Sequence, residues 1–246
     1  LEIEFPGFEV ERPVGDPLAA DSWLAVRDPS GDLRRQLEAN GAFADGTIGL
    51  PVYRNLVGTF SEMLRLDATG AVIDRRRLSD ARSSLQPIVL VRSPTEALAL
   101  LRNAGAERPN RVIGTTTRDA GQSWAPPVRL PLRNPDAALS GVVLPDGRVL
   151  VALNEVEVER DELSLVVSGD GGSTWRTARR LEDQVEARGL PVDDARYGRT
   201  VEALARATDT RVSDARAWVD SSRRFMCWEP RCHFEFSYPF VLQTRG

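Results

Sequence analysis

The sequence contains no lysine, a single histidine and two cysteines, and each shortage limits the chemistry that the chain can perform. A Ser-His relay could only use His233, the one histidine of the chain. We expect His233 instead to be an ordinary loop or strand residue. Cys227 and Cys232, in CWEPRC, have the wrong spacing for a redox C-x-x-C motif, and the chain has no second pair for zinc. A local disulfide and two reduced thiols both remain open.

Long apolar runs are also missing. No stretch approaches the roughly 20 residues that a membrane-spanning helix needs, so we predict no span in this chain. The net charge of −4 argues against nucleic acid as a partner. We predict neither a metal ion nor a cofactor, and we expect a periplasmic or secreted protein rather than a cytoplasmic one.

The sequence does contain a repeated turn motif. TRDAGQSW (Thr117 to Trp124) and SGDGGSTW (Ser168 to Trp175) both read Ser/Thr-x-Asp-x-Gly-x-x-Trp, and their tryptophans are 51 residues apart. Each follows a short β-rich run, and a repeat near fifty residues with this content is typical of a propeller. We expect the Asp to accept backbone N–H bonds and the Trp to pack between sheets. The residues with this structural role are Asp119, Gly121, Trp124, Asp170, Gly172 and Trp175.

Four-stranded antiparallel units, with strands A to D in chain order, fit around these turns. Strands A, B, C and D of one unit are predicted at 83–91, 96–103, 111–117 and 125–132. Those of the next are predicted at 137–144, 148–154, 163–167 and 176–182. An earlier unit has strands B, C and D at 46–55, 58–66 and 71–78, with 37–45 as the only candidate for strand A.

The remaining segments fit this frame less well. Residues 23–37 resemble a hairpin with DPSG as its turn. Residues 186–224 are charged and Ala-rich, which predicts an insertion with one or two short helices and Ser213 as an N-cap. Strand character returns at 233–243. We interpret 1–246 as a single all-β domain, a β-propeller of four-stranded blades with a short helical insertion.

The predicted topology brings polar residues together. In an antiparallel hairpin the start of strand A lies beside the end of strand B, and strand A is innermost in a blade. These ends should therefore line one mouth of the central channel, which we call the rim. The rim candidates are Tyr53-Arg54-Asn55, Gln86-Pro87, Arg102-Asn103, Asn134-Pro135-Asp136, Asn154-Glu155 and Ser237-Tyr238-Pro239.

Several strings in this frame carry a resemblance: GTIGLPVYRN, SSLQP, LALLRN, RNPDAAL, DGRVLVALN, SLVVSGDGGSTW and FSYP. Together with the two Asp boxes, they resemble the bacterial BNR/Asp-box repeat sialidase (neuraminidase)-like family, over roughly 44–182 and 234–242. The resemblance implies a six-bladed propeller and an exo-α-sialidase-like glycosidase, a hydrolase that acts on terminal sialic acid or a related acidic sugar of glycans.

The resemblance also implies roles for individual residues. Sialidases bind the sugar carboxylate with arginines, whose planar guanidinium matches a carboxylate, and use a tyrosine nucleophile activated by a glutamate. The matching nucleophile is Tyr238, the candidate bases are Glu62 and Glu235, and Asp136 is a weaker candidate for the acid. The predicted substrate-binding residues are Arg102, Arg54, Tyr53, Gln86, Asn134 and Asn154.

Some features depart from the family pattern. There is no F/Y-R-I-P stretch, the N-terminal acid is not recognisable, and Asn55 stands where relatives tend to have an acidic residue. At about 50 residues per blade the chain accommodates about five blades. Unrecognised blades, a chain that omits part of the protein, and a degenerate relative all remain open. These departures favour an alternative function, an inactive propeller that binds a glycan or a protein. A purely structural repeat protein would require the polar rim to be accidental.

Overall fold

The chain folds as an all-β protein in which short antiparallel strands follow one another. The computed structural model describes residues 9–11, 25–27, 43–55, 59–67, 69–80, 82–183, 198–199, 201–202, 205–206, 209–217, 227–228, 231–232 and 236–241. The strands in these ranges are β1 (Glu9–Glu11), β2 (Ala25–Arg27), β3 (Ile48–Asn55), β4 (Thr59–Leu66), β5 (Val72–Arg77), β6 (Ser84–Val91), β7 (Ala97–Asn103), β8 (Arg111–Thr117), β9 (Val128–Arg133), β10 (Ser140–Val143), β11 (Val149–Leu153), β12 (Glu162–Ser168), β13 (Arg176–Asp183), β14 (Cys227–Trp228) and β15 (Arg231–Cys232).

The strands assemble into sheets in the order in which they occur. Sheet I contains β3–β5, sheet II contains β6–β9 and sheet III contains β10–β13, whereas β1–β2 and β14–β15 form two-stranded sheets. Every strand of sheets I to III pairs antiparallel with the next. This meander is that of a propeller blade, so the predicted all-β fold class is confirmed.

Sheet II is covered on both faces. Its first strand, β6, contacts β3 and β4 of sheet I and β10 of sheet III. Leu98 and Leu100 of β7 join a core that includes Val151 of sheet III, whereas Leu101 joins a core that includes Met63 of sheet I. Because both faces are buried, β7 reads ALALLRN, a nearly continuous apolar run, and not the alternation of a half-exposed strand.

Two predictions about the ends of the chain need correction. Residues 43–45, within the predicted strand A at 37–45, form a turn in which the Phe43 N–H donates to the Thr47 carbonyl at 2.9 Å. Residues 236–241, within the predicted strand at 233–243, form no strand. Strand β2 lies within the predicted hairpin at 23–37 and pairs with β1. The rest of these segments, 23–24, 28–42, 233–235 and 242–243, lies outside the described residues.

The predicted insertion contains helical residues at 198–199, 201–202, 205–206 and 212–217, and Val201, Ala205 and Ala215 are buried together. The Arg211 carbonyl accepts from the Ala215 N–H at 3.0 Å, so the helix begins at Arg211 and the predicted N-cap, Ser213, lies inside the first turn. The backbones of Cys227 and Cys232 pair across β14 and β15. Among the described residues, no helix has the length and apolar character needed to cross a bilayer.

Candidate functional site

The side chain of Arg102, near the end of β7, lies at the centre of a polar cluster. Its Nε donates to Asp136 Oδ1 at 2.6 Å and its Nη1 donates to Gln86 Oε1 at 2.9 Å. Burial disfavours the charged guanidinium, but Asp136 and the phenol of Tyr238 outweigh that cost and raise the pKa of Arg102. We call these four residues the Arg102 cluster. Gln86 and Arg102 lie on β6 and β7, Asp136 follows β9, and Tyr238 lies in 236–241. The structure therefore brings together four members of the predicted rim that are far apart in the sequence.

All three partners of Arg102 have left-handed backbones. The φ angles are 42° at Gln86, 63° at Asp136 and 57° at Tyr238. For residues other than glycine this region is unfavourable, and such residues concentrate at functional sites, where the surrounding structure fixes them. At Gln86 the left-handed residue lies in a shift of register between β6 and β7, which separates the pairs Leu85–Arg102 and Ile88–Leu100. The backbone is therefore distorted where side chains must reach Arg102.

A second arginine, Arg160, links the Tyr238 segment to the Asp136 turn. Its Nη2 donates to the Asp136 carbonyl at 2.8 Å and its Nη1 donates to Ser237 Oγ at 3.4 Å. The Arg160 carbonyl accepts from the Phe236 N–H at 2.7 Å. Arg160 also lines an open cleft of about 360 Å³ together with Arg108, Pro135 and residues 157–159. The candidate site therefore contains two guanidiniums and one carboxylate.

Sequence reasoning missed Arg160. The residue lies in the polar stretch EVEVER, between β11 and β12, and the predicted rim was built only from strand B ends and strand A starts. The loop that leaves strand B begins at the same end of the sheet. The single arginine of this loop, just ahead of β12, could therefore have been predicted to lie near the rim.

The predicted base Glu62 lies in a different pair. Arg54 Nε donates to Glu62 Oε2 at 2.8 Å across β3 and β4, and Glu62 is almost fully buried. In the described part of the chain, this carboxylate forms no hydrogen bond with Tyr238. Tyr53 is 44% exposed and Tyr238 is 63% exposed. The other candidate base, Glu235, and the Asn55 side chain lie outside the described residues.

Asn134 and Asn154, two predicted substrate-binding residues, form hydrogen bonds to the backbone of nearby loops. Both are fully buried. The Asn134 amide exchanges hydrogen bonds with the backbone of Ala137, at 3.1 and 2.8 Å. Asn154 Nδ2 donates to the Glu162 carbonyl at 2.5 Å and to the Phe236 carbonyl at 2.9 Å. These amides therefore fix the loops that carry Asp136 and Tyr238.

The two Asp boxes have the same hydrogen bonds at equivalent positions. Asp119 accepts from the Ser123 N–H at 2.9 Å and from the Ser123 hydroxyl at 2.5 Å, and Asp170 accepts equally from Thr174 at 2.8 and 2.5 Å. The N–H groups of Gly121 and Gly172 donate to the first hydroxyl of each motif. Trp124 packs against the core between sheets I and II, and Trp175 against that between sheets II and III. The carboxylates of Asp119 and Asp170 therefore form their hydrogen bonds within the turns themselves.

The structure also contains a buried carboxylate, that of Glu162. Burial raises the pKa of Glu162, on β12, although hydrogen bonds from the Ser164 hydroxyl and the Glu155 N–H oppose the shift. Glu155, a predicted rim residue, binds the guanidinium of Arg133 through its Oε2. The described residues include no group of three His, Cys, Asp or Glu side chains that could hold a metal ion.

Comparison with known proteins places this chain in a family. Residues 36–246 match the family described as BNR repeat-like domain. Among solved structures, the Hadza microbial sialidase Hz136 is 20% identical, with a TM-score of 0.46 over 57% of this chain and 30% of that one. The NanB sialidase from Streptococcus pneumoniae is 13% identical, with a TM-score of 0.45 over 61% of this chain and 23% of that one.

A third structure is the intramolecular trans-sialidase from Ruminococcus gnavus, solved with oseltamivir carboxylate. It is 13% identical, with a TM-score of 0.42 over 56% of this chain and 31% of that one. This chain therefore covers less than a third of the length of each of these three proteins.

Proposed function

Because this chain belongs to the family of BNR repeat-like domains, we propose that it is a sialidase-like glycoside hydrolase that acts on terminal sialic acid or a related acidic sugar of a glycan. The observation that carries the proposal is the Arg102 cluster, in which an arginine, an acid, an amide and an exposed tyrosine meet. An enzyme of this kind would act where glycans are displayed, so we also propose a periplasmic or secreted location.

The charges at the site support an acidic ligand. Asp136 neutralises one guanidinium through its ion pair with Arg102, and Arg160 adds a second positive charge beside the same turn. Both arginines therefore lie beside the Asp136 turn, where a guanidinium can bind a carboxylate. A guanidinium has five N–H groups, so the contacts of Arg102 with Asp136, Gln86 and Tyr238 would leave further N–H groups to donate to a carboxylate.

The proposed mechanism gives Tyr238 the role of nucleophile. Its Oη would form a bond to the anomeric carbon as the bond from that carbon to the leaving oxygen breaks. The phenol would lose its proton and the leaving oxygen would gain one, so the aglycone would leave as an alcohol. Water would then cleave the glycosyl–tyrosine bond and regenerate the phenol. A neutral tyrosine suits this role because a carboxylate nucleophile would repel the carboxylate of the substrate.

One observation favours a second function. The carboxylate of Glu62 is paired with Arg54, and within the described residues no glutamate is hydrogen-bonded to Tyr238. Without an activating base, the Arg102 cluster would bind an acidic sugar and not hydrolyse it. The alternative is therefore an inactive propeller that binds glycans through the same residues.

A fluorogenic sialoside distinguishes the two functions. We expect wild type to release the fluorophore, and we expect Tyr238→Phe to lose about a thousandfold or more in kcat while it retains sialic acid binding. Arg102→Ala should lose binding as well. Arg148→Ala is the control, because Arg148 pairs with Asp146 at an exposed hairpin turn.

Three outcomes separate the candidates. No turnover on several acidic glycosides, together with binding that Arg102→Ala abolishes, would replace the enzyme with the binding protein. Neither turnover nor binding would reject both functions. Full activity in Tyr238→Phe would reject the proposed nucleophile.

A further inference from the structure

The segment that carries Tyr238, residues 236–241, is not held as a strand or as part of a core. It forms no strand, and none of its side chains is fully buried. Tyr238 is 63% exposed and Phe240 is 82% exposed. Pro239 has no N–H to donate to a neighbouring strand. Neither a sheet ladder nor apolar packing therefore fixes the position of this segment.

Side chains of sheet III bind the segment at both of its ends. At the first end, the Phe236 carbonyl accepts a hydrogen bond from Asn154 Nδ2 at 2.9 Å. At the other end, the Val241 N–H donates to Ser140 Oγ at 3.0 Å, although these two residues are 101 positions apart in the sequence. Tyr238 lies between the two attachments, so its position depends on both of them.

The two attachment points lie at one end of the β10–β11 hairpin. Ser140 is the first residue of β10, and Asn154 directly follows the last residue of β11. Asp136 lies in the loop just ahead of β10 and forms the ion pair with Arg102 of sheet II. This end of sheet III therefore fixes both ends of the Tyr238 segment and also contacts the guanidinium that the phenol meets.

The backbone of Tyr238 needs this support. Its φ angle of 57° is left-handed, and for a residue other than glycine such a conformation persists only where the surrounding structure fixes it. A segment released at its Val241 end would relax towards a more favourable backbone. That relaxation would move the phenol away from Arg102, with which it interacts in the intact structure.

We propose that Ser140 is a positioning residue for Tyr238. Its hydroxyl anchors the Val241 end of the segment and so keeps the phenol beside Arg102, without touching the substrate itself. The inference rests on the proposed function, because it takes Tyr238 to be the nucleophile. Reacting atoms must lie about 3–3.5 Å apart, and a displacement of about 1 Å costs about a hundredfold in rate. Loss of the anchor should therefore lower kcat, whereas the arginines that bind the sugar carboxylate stay in place.

The first test measures kinetics of the full chain with a fluorogenic sialoside. Ser140 is half-buried, so the smaller alanine fits in its place, and Ser140→Ala removes only the acceptor. We expect kcat to fall by about tenfold or more and KM to stay within about twofold of wild type. Ser140→Thr keeps a hydroxyl at a strand position and should restore most of the lost kcat. Thr177→Ala is the control, because it removes a hydroxyl from an exposed position of β13 in the same sheet.

The second test follows Tyr238 without any turnover. The chain has three tyrosines, so protein labelled with fluorotyrosine gives three fluorine NMR resonances, and Tyr238→Phe identifies the one from Tyr238. Ser140→Ala should shift or broaden this resonance and leave the other two unchanged, whereas Ser140→Thr and Thr177→Ala should leave all three in place. Hydrogen exchange at the Val241 amide should also become about tenfold faster in Ser140→Ala, because that amide loses its acceptor.

Two results would overturn the proposal. The first is a Tyr238 resonance and a Val241 exchange rate that Ser140→Ala leaves unchanged. The second is a loss of kcat that Ser140→Thr does not restore, or a rise in KM at constant kcat, since neither fits a role in placing the nucleophile. Absence of turnover in wild type would instead reject the proposed hydrolase. The fluorine resonance would then still decide whether Ser140 positions Tyr238, so the two failures are distinguishable.

Discussion

At the scale of single residues, the aspartates of this chain occupy two kinds of environment. Asp136 faces Arg102 across the candidate site, whereas Asp119 and Asp170 close turns on the outer side of the sheets. For Asp119, burial raises the pKa, but hydrogen bonds from Ser123 and Thr117 outweigh it, and the result is about 2. For Asp170, bonds from Thr174 and Ser168 lower the pKa to about 2. Both carboxylates are therefore ionised at neutral pH, and their hydrogen bonds stabilise the turns that contain them.

These pKa values predict how stability depends on pH. A carboxylate whose pKa is lowered by folding stabilises the native state above its unfolded pKa, near about 4, and this contribution is lost as pH falls towards about 2. The double variant Asp119→Asn/Asp170→Asn should therefore be less stable than wild type at neutral pH. The difference should shrink between about pH 4 and pH 2.

The measurement is urea unfolding across this pH range. Asp80→Asn is the matched control, because the Asp80 side chain is 94% exposed and its nearest guanidinium lies 3.9 Å away. A stability difference for the double variant that stays constant down to pH 2 would contradict the assignment.

The Asp box and the Arg102 cluster also show which residue contacts can be predicted from sequence. The bonds of Asp119 and Asp170 span two to four residues, so a short motif contains the whole turn. Arg102 meets partners 16 and 34 residues away, and Arg160 meets Ser237 at a separation of 77. The repeat placed the four cluster members at one rim. It could not assign Arg160, nor show that Asn134 and Asn154 are used by the backbone.

At the scale of single elements, the hairpin of β10 and β11 depends on one close approach. Gly141 lies opposite Val151, and a Cβ at position 141 would lie 2.8 Å from the Leu150 carbonyl oxygen and 3.1 Å from a Val151 methyl. The nearest obstacle is backbone, which cannot rotate away. The strand therefore needs glycine here for space.

We expect Gly141→Ala to destabilise the protein by about 1–3 kcal/mol, because the added methyl must push β10 and β11 apart. Gly169→Ala is the matched control, since a Cβ at position 169 would meet no atom within 4 Å. That change should stay within about 0.5 kcal/mol of wild type. Chemical denaturation measures both, and equal effects of the two substitutions would contradict the close approach.

The elements predicted well are those whose pattern is local and repeated. All strands of sheets II and III were predicted within a few residues, since each unit combines β-rich runs with a recognisable turn. The segment FSYP lies within 233–243, which was predicted as a strand. In the structure it has no strand partner, because its backbone instead bonds to the Arg160 carbonyl and to Asn154. Those contacts come from a distant loop and leave no signal in the segment.

At the scale of the whole molecule, sheet II connects two cores, because β6, β7 and β8 each contribute residues to both. Leu100 and Leu101 are adjacent on β7 and both are fully buried, yet they face different clusters. The outer strand of sheet III contrasts with this, because all eight residues of β13 are exposed. The described sheets therefore enclose two apolar cores, one on each face of sheet II.

This arrangement predicts cooperative unfolding of sheets I to III. Leu100→Ala and Leu101→Ala should each cost about 2–5 kcal/mol, because each opens a cavity in one of the two cores. Leu181→Ala, at a β13 position that is 44% exposed, is the control and should cost about 0.5 kcal/mol or less. Since β7 belongs to both cores, each core variant should shift one common transition, seen alike by Trp fluorescence and by circular dichroism. Two separate transitions, only one of which responds to Leu101→Ala, would mean that the sheets fold as independent units.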